Sequence, residues 1–366
     1  LDMASSVSLK AHGDIGSAIT PIHVGNVTSL AILSEAGNTY IGKTGALVIG
    51  GINGGGGQVF FTATGPITQT GPMLNVGSLH ATVTGAGDIT LQDNLNTVNF
   101  LYFDAPGALT YHQAADYTVV QALGNGLTLG SSGSIFLQSL SPSTPLNINA
   151  GSGDVTLTTA GAISISGPGA ITARNITLTF PSSVSFAGGT TPHASNDLTI
   201  KATGNLTINA VALNITGGTT LAGAGEDLKN DVVIEAGGLL KITTTGDFTL
   251  GPDAINLLAG KGTATTTDPT AKAQANAFLS AGQLDLKVGG NFYIYGGKVI
   301  LGGGEANASA IVLVKSGKAV DVTGNFVLTG GTITGAGTRA TALAVFDPEL
   351  PLEIKTGGSV AVVGGS

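Results

Sequence analysis

Asp93, Asp104 and Asp116 fall within a few positions of Tyr102, Phe103, Tyr111, His112 and Tyr117, the densest meeting of carboxylates and aromatic rings in this chain. Glycoside hydrolysis needs two carboxylates at a set separation in a groove, with ring surfaces to seat the sugar. Asp104, Asp116, Tyr102, Tyr111 and Tyr117 are therefore the candidate glycan-contact residues. The competing reading is a few strands whose aromatic side chains point into a core.

Elsewhere the chemistry thins out. Asp88, Asp154, Asp197, Asp231 and Asp247 occupy one recurring position, and Asn205, Asn291 and Asn325 stand at that same place in sister motifs. A position that takes Asn and Asp alike is not chosen for charge; both tolerate a left-handed backbone at a corner, so these eight read as corner residues. Lyases on β-helices lean on Arg or Lys as base, but Arg174 and Arg339 are the only arginines and neither has acidic company nearby. The histidines at 12, 23, 80, 112 and 193 show no paired spacing, and without Cys they make no zinc motif. GAGDITL at 85–91 lacks the Gly-Gly-x-Gly-x-Asp spacing of the calcium-binding nonapeptide repeat. The glycine clusters follow no phosphate-cradling pattern. No catalytic residue, metal ligand or cofactor is assigned.

The elements that would position these side chains are written in the repeat. NDLTI (196–200) and GNLTI (204–208) say nearly the same thing twice, apolar residues alternating with Thr at the period of a half-buried strand. The motif returns as GDITL (87–91), GDVTL (153–157), NDVVI (230–234), GDFTL (246–250), GNFYI (290–294) and GNFVL (324–328). Its intervals are irregular, as expected of strand-and-corner units separated by excursions of variable length. This predicts an all-β chain wound as a right-handed parallel β-helix, one continuous solenoid over 1–366. Phe248, Phe292 and Phe326 fill one slot of three sister motifs and are expected to stack as an internal ladder. Three stretches break the alternation and are expected as loops: 50–58, 260–281 (with room for a helical turn) and 340–351.

Composition limits the partners. Of 366 residues 58 are Gly, 10% are charged, and the net charge is −8. An acidic chain with two arginines lacks the basic face that nucleic acid requires. No apolar run reaches the length of a membrane-spanning helix.

Runs such as GPITQTGPMLNVGSLHATVTGAGDITL (65–91), LNTVNFLYFDAPGALTYHQAADYTV (95–119) and LTIKATGNLTINAVALNITGG (198–218) resemble filamentous-haemagglutinin-type repeats. Such repeats build exoproteins of two-partner secretion systems, and similar ones build autotransporter passengers. The resemblance covers most of 60–366 and is one of repeat style; the Asn-Pro-Asn motifs of the secretion domain are absent. It implies an exported β-helix at the surface of a Gram-negative bacterium, carried out through an outer-membrane transporter. The expectation is a non-enzymatic rod: the shaft of an adhesin, or a subunit of a surface or matrix filament whose uncapped end coils stack on copies of itself or on neighbouring domains of a longer chain. The rivals are a polysaccharide lyase or hydrolase on the same fold, and a module that binds a glycan or host receptor.

Overall fold

The computed structural model describes residues 6–25, 27–138, 145–161, 163–188, 195, 197–217, 220–222, 226–245, 255–258, 262–264, 272–274, 276–295, 298–301, 305–307, 309–330, 332–335, 339–341, 343–349 and 353–363. Among them there is no helix, and short strands follow one another separated by corners. The alternation of the sequence is the cause. In Leu198–Ala202 the side chains run buried, half-buried, buried, exposed, buried, and Val155–Thr159 does the same. A period of two puts every second residue on one face of the strand. Strands pair in parallel with strands one coil away, so equal slots superpose: Leu206 lies against Ile176 and Leu240, and Ile208 against Leu178 and Ile242. The chain is an all-β parallel β-helix.

The coils belong to two compact units, Leu1–Phe136 with Asn147–Gly161, and Leu137–Leu146 with Ala162–Ser366. In the first unit the coils are short. Val59 pairs with Thr39 and Leu79, and Leu109 with Ile89 and Leu127. Its core holds Leu30, Leu47, Ile67, Leu79, Ile89, Leu101 and Leu127, all essentially sealed from solvent. Each such side chain is worth roughly 1.5–3 kcal/mol of burial.

In the second unit the coils are longer because they carry excursions, and the described parts of these include paired strands. Strands Thr220–Ala222, Gly262–Ala264, Lys298–Leu301 and Thr332–Gly335 form one four-stranded parallel sheet; Asp227–Lys229, Lys272–Gln274, Glu305–Asn307 and Arg339–Thr341 form another. The stretch 260–281 thus contributes Gly262–Ala264, Lys272–Gln274 and the start of Ala277–Val288, where a loop with a helical turn was expected. Likewise Ala344–Pro348, inside 340–351, is a strand paired with Ala310–Val314. Three-residue strands are too short to display alternation; their partners one coil away supply the order. Around 50–58 the strand Leu47–Asn53 runs further than expected, and Gly54–Gly57 alone makes the corner before Gln58–Ala63.

The paired motifs NDLTI and GNLTI are successive faces of one coil. Leu198–Ala202 and Leu206–Ala210 both pair with the single long strand Val232–Thr244, in which the corner survives as a register shift between Ala236 and Leu239. Phe292 and Phe326 superpose, their rings 5.3 Å apart and edge to face, and Phe346 meets Phe326 at 5.7 Å. In backbone register Ile255 pairs with Phe292 and Val360 with Phe326. The residue under Phe292 is therefore Ile255; Phe248, expected in this ladder, lies outside the described residues.

Candidate functional site

The corners carry the most regular polar chemistry in the molecule. Asp197 Oδ1 accepts a hydrogen bond from the backbone amide of Asp231 at 2.9 Å; Asp231 Oδ1 accepts from that of Asn276 at 2.8 Å; Asn276 Oδ1 accepts from that of Ser309 at 3.0 Å. A second column runs Asn175, Asn205, Leu239, each acceptor taking the amide one coil on at 2.9 Å. A third runs Asn291, Asn325, Ser359 at 2.9 and 2.8 Å. The first unit repeats the device with Asp14, Asn38 and Gln58, with Asp88 toward Ala108, and with Asp116 toward Ser134. These bonds span 18 to 24 residues in the first unit and 30 to 45 in the second, which measures the coils directly.

The left-handed backbone expected at these corners is not there. Asn75, with φ 51°, is the one non-glycine residue of positive φ among the described residues, and it is none of the eight. Asp and Asn interchange because each offers the same carbonyl-type oxygen to an amide that the turning strand would otherwise leave unpaired. Asp247 lies outside the described residues; Asp154 also engages a partner.

The aromatic and acidic patch divides between core and surface. Tyr111 and Tyr117 are 1% and 2% exposed and pack edge to face at 5.1 Å, with Phe103 at 5.8 Å from Tyr111. Tyr111 Oη donates to Gln113 Oε1 at 2.5 Å, and Tyr117 Oη donates to the Gly130 carbonyl at 3.1 Å. Burial raises both phenol pKa values, and at Tyr111 the neighbouring Tyr117 adds to it. Neither ring can reach a glycan. Asp116 is committed to the Ser134 amide and Asp93 to that of Leu95. Tyr102 and Asp104 remain on the outer face of strand Val98–Asp104.

Tyr102 belongs to a different assembly. Tyr40, Phe60, His80 and Tyr102 occupy one register position on four successive outer strands. Their rings stack nearly parallel at 4.6, 4.4 and 4.2 Å. Half-burial in this stack lowers the His80 pKa and raises that of Tyr102. Within the column each inner ring has both faces covered by its neighbours. A sugar stacks on a ring face, and at Phe60 and His80 the column offers only edges.

Among the described residues of the first unit, the buried side-chain amides of Asn96 and Gln113 are both taken up. Asn96 accepts from the Met73 amide at 2.9 Å and from Gln69 Nε2 at 2.8 Å, and it donates to the His112 carbonyl at 3.1 Å. Gln113 receives the Val98 amide at 3.1 Å and donates to the Asp116 carbonyl at 2.8 Å. Both bridge backbone where the turn 93–97 interrupts strand pairing. Among the described residues no group of three His, Asp or Glu side chains is placed to hold a metal. No family model, curated protein or solved structure matches the chain.

Proposed function

We propose that this chain is a non-enzymatic structural segment, the shaft of an exported bacterial surface adhesin or a subunit of a surface or matrix filament. The observation that carries the reading is the use to which its polar residues are put. The recurring Asp and Asn side chains spend their acceptors on the next coil's backbone, so the repeated polar position is structural in every column described above. A stack of that kind lengthens by about 4.8 Å per coil and gains stability coil by coil, which suits a spacer. Export and attachment to a Gram-negative surface follow the repeat style of the sequence.

Self-assembly through coil edges belongs to the same proposal. Strand Val360–Val363 leaves Val360, Val362 and Val363 between 52% and 73% exposed. Apolar strand of this kind is a template for another parallel coil, whether from further residues of a longer chain or from a second copy. Electron microscopy and sedimentation of the isolated chain test this. Narrow unbranched particles, single or joined end to end, are the expected result. Compact particles, or turnover of a polysaccharide that Asp104→Asn abolishes, would refute the structural role and favour the carbohydrate-active rival.

A further inference from the structure

We infer that Asn125 is a site of self-modification, where the backbone nitrogen of Gly126 attacks the Asn125 side-chain amide and the chain ages into aspartate and isoaspartate. The sequence holds Asn-Gly at two places, Asn53–Gly54 and Asn125–Gly126, and the fold treats them in opposite ways.

The difference begins in a corner column. Ile89, Leu109, Leu127 and Val155 pair in register, so the residues just before them, Asp88, Ala108, Gly126 and Asp154, share one corner position. Asp88 takes the Ala108 amide, as the other columns would require. Ala108 has no side-chain oxygen to pass on, and the Gly126 amide meets no acceptor among the described residues. The nitrogen that this gap leaves over is the one next to Asn125. With φ 117° position 126 suits glycine, and no Cβ shields that nitrogen.

The electrophile is prepared as well. Asn125 is exposed, and its own amide is tied to the Gly107 carbonyl at 2.8 Å. Its Oδ1 accepts a hydrogen bond from Ser152 Oγ at 2.9 Å. A donor on that oxygen draws charge from Cγ and supports the oxyanion formed on attack. At Asn53 the nucleophile is already engaged: the buried Gly54 amide donates to the Leu74 carbonyl at 2.9 Å. An amide so held reacts only from a locally opened state.

The step balances with water alone. Gly126 N gives its proton to hydroxide and bonds to Asn125 Cγ; the Cγ–Nδ2 bond breaks, and the amide leaves as ammonia after taking a proton from water. Water then opens the cyclic imide. Opening at Cγ gives aspartate. Opening at the main-chain carbonyl gives isoaspartate, which routes the main chain through the side chain and lengthens the corner between Tyr117–Leu123 and Leu127–Ser131. Either product leaves a carboxylate beside Ser152.

The test holds the whole chain in mildly alkaline buffer and follows both pairs by peptic mapping in acid, with isoaspartyl methyltransferase labelling. In the folded chain Asn125 is expected to convert at least about fivefold faster than Asn53, and in denaturant the two should convert alike. Ala108→Asn, at an exposed position, supplies the missing acceptor and should slow Asn125 about fivefold; Ser152→Ala should slow it about threefold. Unchanged thermal unfolding verifies that each variant keeps the fold, and the comparison within the parent chain needs no variant. Asn53 level with or ahead of Asn125 in the folded chain would overturn the inference. So would a folded variant of either kind that leaves the Asn125 rate unchanged, because an Asn-Gly pair reacting by sequence alone would ignore both substitutions.

Discussion

Replacing Asn205 by Ala separates two accounts of the corner positions. Asn205 Oδ1 takes the amide of Leu239 at 2.9 Å, and its own amide donates to Asn175 Oδ1 at the same distance. The substitution leaves the second bond intact and deprives Leu239 N–H of its partner. Asn205 is exposed and Leu239 half-buried, so water can recover part of the loss, and the cost is about 1 kcal/mol. Asn205→Asp keeps an oxygen in the same place and is expected to cost only a few tenths. Hydrogen exchange is the sharper assay than melting, because the loss is local. The Leu239 amide should exchange about fivefold faster in Asn205→Ala, in proportion to that energy, and near the parent rate in Asn205→Asp. The opposite pattern, Asp as damaging as Ala or Leu239 unaffected by both, would show that the position serves the backbone conformation of residue 205 and not an acceptor for the next coil.

Further outcomes follow from the same columns. Asp197 and Asp231 are both held above the ordinary carboxylate value of 3.8, chiefly by burial, and Asp231 also by the charge of Asp197. A carboxyl whose folded pKa is raised weakens the fold as pH climbs from its unfolded value through its folded one, and acidification restores the loss. Asp231→Asn, which keeps an oxygen for the Asn276 amide, should therefore raise the melting temperature near neutral pH, with the advantage closing in acid; a constant advantage at all pH would refute it. Phe292→Ala removes a ring 3% exposed and in contact with Phe326, and should cost about 3–5 kcal/mol in denaturant unfolding, if the second unit unfolds as one transition. His80→Ala should destabilise the first unit by about 1–2 kcal/mol by splitting the outer stack, whereas His80→Phe should hold stability and remove any pH response of the column.

How far the sequence could be read depends on what each signal encodes. Alternation encodes which face a residue takes, and it was sufficient for the parallel β-helix. It also contained the fate of Tyr111, which shares its phase with Leu109 and Gln113 and turns inward with them; around Tyr117 four consecutive residues are buried, so alternation there does not choose a face. Density of rings and carboxylates suggested a surface, while parity already assigned Tyr111 to the core. The outer stack was legible as well, in aromatic-then-inward pairs at Tyr40–Ile41, Phe60–Phe61, His80–Ala81 and Tyr102–Phe103, recurring at the coil length of the first unit. Register in the second unit was not. Motif likeness set GDFTL beside GNFYI; among the described residues it is Ile255 that pairs in register with Phe292, and Phe248 lies outside them. An excursion costs little loop entropy to lengthen, and here its short strands pair with those of the next coil. The side sheets thus accompany the irregular spacing of the repeats in the second unit. A corner oxygen, unlike a motif, reports its partner one coil away through a single hydrogen bond, so exchange rates measured along Asn175, Asn205 and Leu239 would read the register that the sequence leaves open.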